Sequence, residues 1–177
     1  MSTTTLITGG ASSGKSRFAE QRALSHGAPL CYLATAQALD NEMSDRIARH
    51  RARRGDIWQT VEEPLSLPQA LARIDGTCKG ILVDCITLWL SNLLLSHDPE
   101  SDETEELILV DVHRLAATLR GMGTPVYLVT NEVGQGIVPE QRLGRRFRDL
   151  AGQTNQILAA TCDEVYTVIS GIPLKLK

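Results

Sequence analysis

The chain has 177 residues, of which 42% are hydrophobic and 22% charged, with 14 glycines and 7 prolines. This length suits a single α/β domain spanning residues 1–177, and the composition excludes intrinsic disorder and collagen-like repeats. The formal net charge of -3 argues against a constitutive nucleic-acid coat protein. No basic residue precedes the first apolar stretch, and no run approaches the roughly 18 apolar residues of a membrane span, so we expect a soluble, cytoplasmic protein.

Strand-like and helix-like segments alternate along the chain, without an internal repeat or a long linker. The predicted strands are short apolar or alternating runs at 3–8, 30–34, 57–61, 80–83, 125–130 and 165–170, the last of which closes the sheet. The predicted helices lie at 15–25, 40–54, 66–74 and 139–161. One further helix is predicted to begin near residue 86, and another, after the acidic segment, to end near 121–123. This alternation predicts an α/β fold with a mostly parallel sheet flanked by helices.

Three groups of residues have simple structural interpretations. The segment at 97–106 holds six acidic residues and is predicted to be a solvated surface loop. The basic cluster of the last predicted helix is expected to be exposed, with binding of a substrate or a neighbouring subunit as the alternative; its members are Arg142, Arg145, Arg146 and Arg148. The four cysteines form no Cys-x-x-Cys pair and no zinc-ligand spacing with histidine, so reduced, mostly buried thiols are expected.

Residues 9–16 match the pattern Gly-x-x-x-x-Gly-Lys-Ser between a predicted strand and a predicted helix. The glycines let consecutive backbone N–H groups turn toward phosphate oxygens, and the helix N-terminus adds a favourable dipole. Lys15 is predicted to reach the β- and γ-phosphates, and Ser16 to ligate Mg²⁺. We therefore predict a nucleotide-binding P-loop; the alternative is a Gly-rich turn that only fits the pattern.

Two carboxylates follow predicted strands at the sheet edge where open α/β folds place ligands. Asp84 ends the apolar run at 80–83, and it is a candidate to hold Mg²⁺ directly or through water. Its alternative role is to cap the helix that begins near Ile86, and the two roles are compatible. Glu132 follows the predicted strand at 125–130 and is a candidate for substrate contact.

Five arginines and one histidine occur between positions 46 and 54 of this acidic protein. At helical spacing Arg46, Arg49, His50, Arg53 and Arg54 share a face suited to a triphosphate or pyrophosphate. Cationic neighbours disfavour the imidazolium, so His50 is expected to be neutral and able to act as a nucleophile. A solvated helix face is the alternative; a nucleic-acid patch is disfavoured because no aromatic residues interleave with the arginines.

Five segments in this order resemble the bifunctional adenosylcobinamide kinase / adenosylcobinamide-phosphate guanylyltransferases of cobalamin biosynthesis. They are the P-loop segment 8–17, Tyr-Leu-Ala-Thr-Ala at 32–36, the stretch 40–50, Trp-Gln-Thr-Val-Glu at 58–62, and the loop 130–140. The resemblance covers nearly the whole chain. It departs at Ser12, where the family often has Arg, and at Asp84, where the family often has Glu.

The resemblance implies a RecA-like P-loop NTPase fold and two reactions. ATP or GTP phosphorylates the hydroxyl of the aminopropanol arm of adenosylcobinamide. The family's histidine, which matches His50, then attacks the α-phosphorus of GTP, and GMP passes from the guanylylated imidazole to adenosylcobinamide phosphate, giving adenosylcobinamide-GDP. The arginines are expected to stabilise the leaving pyrophosphate.

The resemblance also implies the site and the assembly. His50 and Lys15 are the implied catalytic residues, and Ser16 and Asp84 the implied Mg²⁺ ligands. The implied nucleotide contacts are Gly9, Gly10, Ala11, Ser12, Ser13, Gly14, Lys15, Ser16, Thr35, Ala36, Gln37, Arg51, Ala52, Arg53, Arg54, Glu62 and Asp84. Relatives assemble as trimers, so a homo-oligomer is implied.

Two rival functions are weighed against this one. The first is a P-loop kinase of another small alcohol without guanylyltransferase activity, in which His50 is only an exposed residue. The second is a RecA-like, ATP-dependent module that binds nucleic acid through the face at 46–54, and it predicts strongly salt-dependent binding. The acidic net charge and the missing aromatic residues disfavour this second rival, and we expect no nucleic-acid partner.

Overall fold

A computed structural model describes residues 3–36, 55–98, 101 and 103–177. The strands are β1 (Thr4–Gly9), β2 (Leu30–Ala34), β3 (Trp58–Glu62), β4 (Ile81–Asp84), β5 (Val126–Val129), β6 (Glu164–Ile169) and β7 (Ile172–Lys175). The helices of these ranges are α1 (Lys15–Leu24), α2 (Leu67–Ile74), α3 (Ile86–Ser96), α4 (Glu103–Gly121) and α5 (Arg142–Thr161). The predicted helix at 40–54 lies outside the described residues.

All seven strands belong to one sheet, in the order β3-β2-β4-β5-β1-β6-β7. Neighbouring strands pair in parallel, except β6 and β7, which are antiparallel. Strand β5 lies between β1 and β4, so the strand that ends at Asp84 is two positions away from the strand that ends at Gly9. The predicted mostly parallel sheet with flanking helices is confirmed.

The central strands are buried because helices cover both faces of the sheet. Strands β1, β2 and β5 are buried along their whole length, as expected for parallel strands without a solvent face. Alternate residues of β1 face opposite sides: Leu6 joins the large core formed with α2 to α5, whereas Ile7 joins the smaller core formed with α1. In the large core Trp89 is fully buried and donates its indole N–H to the carbonyl of Leu65 at 2.8 Å.

The prediction that residues 165–170 close the sheet is wrong. A turn at Ser170 and Gly171, both with positive φ (52° and 82°), leads into β7, which pairs with β6. Such a two-residue turn matches the twist of antiparallel strands. Strand β7 is exposed throughout and contains Pro173, as an edge strand can. Because it has no buried face, the segment lacks the apolar alternation that predicts a strand.

Three further sequence predictions need correction. Helix α4 begins at Glu103, inside the predicted acidic loop, because acidic residues in a first turn interact favourably with the helix dipole. Helix α5 begins at Arg142 rather than at 139. Arg146 is buried rather than exposed; its Nε donates to Glu105 Oε1 and its Nη2 to the Ser101 carbonyl, both at 2.6 Å.

The predicted burial of the cysteines is confirmed, because all four thiols are buried; they are Cys31, Cys78, Cys85 and Cys162. Burial raises the pKa of Cys162 to about 12, which keeps this thiol protonated at neutral pH. Among the described helices, none combines the length and the apolar content required to cross a bilayer.

Candidate nucleotide and phosphoryl-transfer site

The carboxyl ends of the parallel strands place most of the predicted site residues along one edge of the sheet. One row of register partners runs across this edge; it consists of Glu62, Ala34, Asp84, Val129 and Ile7. The segments that follow these residues begin at neighbouring positions of the same edge. This is the edge at which open α/β sheets bind their ligands.

The P-loop segment, residues 9–16, connects β1 to α1 in a tight turn. Gly14 is the N-cap of α1 with φ of 95°, a left-handed conformation that favours glycine. The Ser13 N–H donates to the Gly10 carbonyl at 3.3 Å, and the Phe18 N–H donates to the Gly14 carbonyl at 3.0 Å. An anion placed at this turn would meet a helix N-terminus and a glycine-rich backbone, which is the arrangement that binds phosphate.

Lys15 is the first residue of α1 and is buried, with 9% of its surface exposed. Its ammonium group donates to the Gly10 carbonyl at 2.9 Å, so the side chain folds back over the P-loop segment. A lysine held across the loop in this way could place its charge on the phosphates of a bound nucleotide. Ser16 follows it on the first turn of α1 and is half-buried.

Asp84 ends β4 with its side chain half-buried, and the Tyr32 hydroxyl donates to its Oδ2 at 2.8 Å. The alternative role as a helix cap is not observed: the N-cap of α3 is Cys85, and no side chain caps this helix end. The Asp84 carboxylate and the Ser16 hydroxyl are both hard oxygen donors. This donor set fits Mg²⁺, which binds few protein oxygens together with substrate phosphates and water.

Thr35 connects the ends of β2 and β4. Its hydroxyl donates to the Cys85 carbonyl and accepts from the Cys85 N–H, both at 2.8 Å, while the Thr35 N–H donates to the Asp84 carbonyl at 3.2 Å. Thr35 is fully buried, so its side chain fixes the backbone around Asp84. Burial next to the Asp84 charge raises the pKa of the Cys85 thiol to about 11, which leaves Cys85 a protonated thiol at neutral pH.

Asn92 on α3 holds the segments that follow β2 and β3. Its side-chain amide donates to the Thr35 carbonyl at 2.8 Å and to the Pro64 carbonyl at 3.1 Å. Asn92 is a site residue that the sequence patterns did not indicate, although an amide side chain within a largely apolar helix is a signal of a hydrogen-bonding role. Tyr32 was also missed as a partner of Asp84, because the two residues are 52 positions apart in the chain and the pairing of β2 with β4 is not visible in the sequence.

The structure places the remaining predicted residues in different ways. Glu132 lies beside the P-loop segment, where its N–H donates to the Gly9 carbonyl at 3.1 Å. Glu62 ends β3 at the edge of the sheet, four strands from β1, which corresponds to about 19 Å at ordinary strand spacing. Ala36 follows β2 and is half-buried. The other predicted residues lie outside the described ranges: Gln37, His50, Arg51, Ala52, Arg53 and Arg54.

The family model described as cobinamide kinase / cobinamide phosphate guanyltransferase matches residues 5–176. The chain belongs to this family. The match confirms the resemblance drawn from the five segments, and it covers the P-loop segment, Asp84 and the positions outside the described residues.

Three curated relatives share this family resemblance over nearly their whole length. The bifunctional adenosylcobalamin biosynthesis protein CobP of Pseudomonas aeruginosa is 45% identical, over 97% of this chain and 96% of that protein. The bifunctional adenosylcobalamin biosynthesis proteins CobU of Escherichia coli and Salmonella typhimurium are 43% and 46% identical, each over 97% of this chain and 98% of the relative.

Similarity to solved structures supports the fold alone. The crystal structure of the RadB recombinase aligns with a TM-score of 0.50 and 16% sequence identity, covering 93% of this chain and 73% of the RadB chain. The predicted RecA-like P-loop architecture is thereby confirmed.

Proposed function

We propose that this chain phosphorylates the aminopropanol hydroxyl of adenosylcobinamide with ATP or GTP and then transfers GMP from GTP to adenosylcobinamide phosphate. The observation that carries the proposal is a P-loop segment and a strand-end carboxylate, Asp84, at one sheet edge of a chain that matches the family over residues 5–176. The family description names both activities, and the relatives at 43–46% identity are named bifunctional adenosylcobalamin biosynthesis proteins.

In the kinase step the acceptor hydroxyl oxygen forms a bond to the γ-phosphorus, and the bond from that phosphorus to the β,γ-bridging oxygen breaks. The nucleoside diphosphate leaves, and the hydroxyl proton passes to a base. Backbone N–H groups of residues 9–16 and the Lys15 ammonium stabilise the charge on the phosphoryl oxygens. Ser16 and Asp84 would hold Mg²⁺, which supplies further neutralisation of the phosphate charge when bound.

In the guanylyltransferase step an imidazole nitrogen of His50 attacks the α-phosphorus of GTP, and pyrophosphate leaves. A phosphate oxygen of adenosylcobinamide phosphate then attacks the same phosphorus, and the phosphorus–nitrogen bond breaks. This double displacement divides one transfer into two easier steps. The proposed nucleotide contacts at Ala36, Gln37, Glu62 and the arginines at 51, 53 and 54 serve this step. Thr35 is fully buried, so it supports these contacts by fixing the backbone rather than by touching the nucleotide.

The experiment that tests this proposal measures guanylylation and phosphorylation separately in wild-type protein and in His50→Ala. With α-labelled GTP, wild-type protein should acquire label that is acid-labile and alkali-stable, as expected for a phosphoramidate. His50→Ala should acquire none, because alanine offers no nucleophilic nitrogen, and it should retain at least part of the phosphorylation of adenosylcobinamide with γ-labelled nucleotide. His113→Ala, a change on the exposed face of α4, is the matched control and should behave as wild type.

Wild-type labelling in His50→Ala would contradict the assignment of the nucleophile. A folded wild-type chain that neither phosphorylates adenosylcobinamide nor acquires GMP would contradict the proposed function as a whole. Phosphorylation without any protein labelling would support a kinase without guanylyltransferase activity.

We also propose that the chain assembles as a homotrimer. Exposed apolar side chains on the β6–β7 hairpin and the C-terminus support an interface there; these are Ile169, Ile172, Leu174 and Leu176. Light scattering should give three times the mass of one chain. Ile172→Lys, on the exposed edge strand, should reduce that mass without changing the far-ultraviolet circular dichroism.

A further inference from the structure

The chain that leaves β5 runs directly along the P-loop segment. Glu132 follows the end of β5 by three residues, and its N–H donates to the carbonyl of Gly9, the first residue of the P-loop segment, at 3.1 Å. The preceding Thr130 N–H donates to the Ile7 carbonyl at 3.0 Å. Glu132 is therefore hydrogen-bonded to the end of β1, the strand that leads into the P-loop segment. It follows β5, which lies between β1 and β4, the strand that ends at Asp84.

The Glu132 carboxylate is held at one oxygen. The Thr8 hydroxyl donates to Glu132 Oε1 at 2.6 Å, and the Asn155 side-chain amide donates to the same oxygen at 3.2 Å. Within the described ranges Glu132 Oε2 has no hydrogen-bond partner and the carboxylate forms no ion pair. One oxygen is thus fixed in place, and the other is available to a ligand at the sheet edge.

A buried polar network stands behind this carboxylate. Asn155 Oδ1 accepts from the Thr130 hydroxyl at 2.8 Å, and the Asn131 N–H donates to the Thr87 hydroxyl, also at 2.8 Å. Thr130, Asn155 and Thr87 are all buried. Burying several polar side chains costs free energy unless each is paired. The network fixes the Asn155 side chain, and Asn155 in turn orients the Glu132 carboxylate. Apolar side chains at the same positions would not orient it.

A shallow depression lies between Gly134, two residues after Glu132 in the chain, and the exposed side of α5. It has a volume of about 430 Å³ and is open to solvent; Gly134, Arg148, Gln153 and Gln156 contribute to its lining. Amide and guanidinium groups of this kind hydrogen-bond well to the carboxamides of a corrinoid. The depression is smaller than a whole corrinoid, so it would contact only one edge of an acceptor whose hydroxyl is at Glu132.

We propose that Glu132 is the general base of the kinase step, accepting the proton of the acceptor hydroxyl on Oε2 as that oxygen attacks the γ-phosphorus. The new oxygen–phosphorus bond forms, the bond to the bridging oxygen breaks, the diphosphate leaves, and Glu132 becomes a carboxylic acid that later returns its proton to water. The carboxylate at the end of β4, Asp84, accepts from Tyr32 and is proposed for Mg²⁺. This inference rests on the proposed kinase function.

The test compares Glu132→Gln with wild type in three measurements. Gln keeps a carbonyl oxygen that can accept from Thr8 and Asn155, so nucleotide affinity and labelling by α-labelled GTP should be unchanged. It cannot accept a proton, so kcat for phosphorylation of adenosylcobinamide should fall about 100- to 10,000-fold. Glu140→Gln, an exposed glutamate of the same loop, is the matched control and should keep full kinase activity.

A second control separates base chemistry from simple attachment of the loop. Thr8→Val removes the 2.6 Å hydrogen bond but leaves the carboxylate, so it should cost far less kinase activity than Glu132→Gln. An equal loss in both variants, or a loss of nucleotide affinity and labelling in Glu132→Gln, would overturn the proposal and assign Glu132 to holding the P-loop segment. Should Glu132→Gln fail to fold, Glu132→Asp takes its place. Its shorter carboxylate should lower kcat with nucleotide affinity retained, and a wild-type rate would overturn the proposal.

The outcomes also separate this proposal from the proposed function. An active wild type with an equally active Glu132→Gln contradicts the base assignment alone. A wild-type chain that does not phosphorylate adenosylcobinamide contradicts the kinase function, and the base assignment with it.

Discussion

The backbone N–H of Gly171 donates a 2.8 Å hydrogen bond to the carbonyl of Ser13. Through this bond the β6–β7 turn lies against the P-loop segment. A Cβ added to Gly14 would be 3.2 Å from Gly171 Cα, and one added to Gly9 would be 2.6 Å from the Val168 carbonyl oxygen. The shape of the P-loop segment is therefore determined by the C-terminal hairpin as well as by its own glycines.

Gly9→Ala is expected to destabilise the nucleotide-free protein by about 1–3 kcal/mol, the usual cost of forcing extra volume into a packed site. The new methyl group would press on backbone, which cannot move aside cheaply. Gly10→Ala is the matched control, because a Cβ there meets nothing within 4 Å. Thermal unfolding without nucleotide measures both, and equal melting temperatures for the two variants would show that the hairpin does not limit the loop.

Lys15→Met is expected to reduce kinase turnover about 100- to 1,000-fold, the typical loss when a charge-stabilising donor is removed. Met keeps most of the apolar stem that α1 buries, so the far-ultraviolet circular dichroism and the melting temperature should stay close to wild type. Lys79→Met, an exposed lysine distant from residues 9–16 in the chain, serves as the control. Full turnover in folded Lys15→Met would refute the role assigned to this lysine.

Acid should weaken the attachment of β1 to the turn between α5 and β6, which contains Asp163. The Thr4 N–H and hydroxyl donate to Asp163 Oδ2 at 2.8 and 2.9 Å, and these hydrogen bonds hold the pKa of Asp163 below its usual value. A lowered folded-state pKa contributes stability above the unfolded pKa of about 3.9, and this stability is lost as pH falls through the lower folded value.

Asp163→Asn should therefore be less stable than wild type at pH 7, and the difference should shrink below about pH 4. Urea unfolding at pH 7 and pH 3 measures it, with Asp149→Asn on the exposed face of α5 as the control. A stability difference that stays constant between the two pH values would contradict the assignment to Asp163.

Local features of this chain were predictable because short stretches of sequence determine them. The strand, turn and helix around residues 9–16 depend on adjacent residues. Strands such as β4 are predicted from continuous apolar runs between turns. The family resemblance was equally accessible, since it rests on segments that can be read in order. The family match confirms it.

Features that depend on distant parts of the chain were not predictable. The position of β5 between β1 and β4, which places Glu132 beside Gly9, follows from the packing of the whole sheet. Arg146 was expected in solvent because only the fold brings Glu105 and the Ser101 carbonyl to it. Strand β7 was missed because pairing with β6, rather than burial, holds it in the sheet.

The hydrogen bond from the Tyr32 hydroxyl orients the Asp84 carboxylate. If Asp84 holds Mg²⁺, Asp84→Asn should raise the Mg²⁺ concentration needed for half-maximal turnover more than it lowers stability, because the amide has lost the negative charge. Tyr32→Phe leaves the carboxylate but removes the hydroxyl that orients it. It should therefore raise the required Mg²⁺ concentration by about 10-fold, the lower end of the range for an orienting partner of a metal ligand, and by less than Asp84→Asn does.

Titration of Mg²⁺ in the kinase assay measures these shifts, and Asp111→Asn is the control. Asp111 pairs with Arg114 at 2.8 Å on the surface of α4, where loss of an exposed ion pair costs little. An order of wild type, Tyr32→Phe and Asp84→Asn in rising Mg²⁺ requirement is the expected result. If Asp84→Asn keeps the wild-type Mg²⁺ requirement and rate, the carboxylate serves only to accept the Tyr32 hydroxyl and to join β2 to β4.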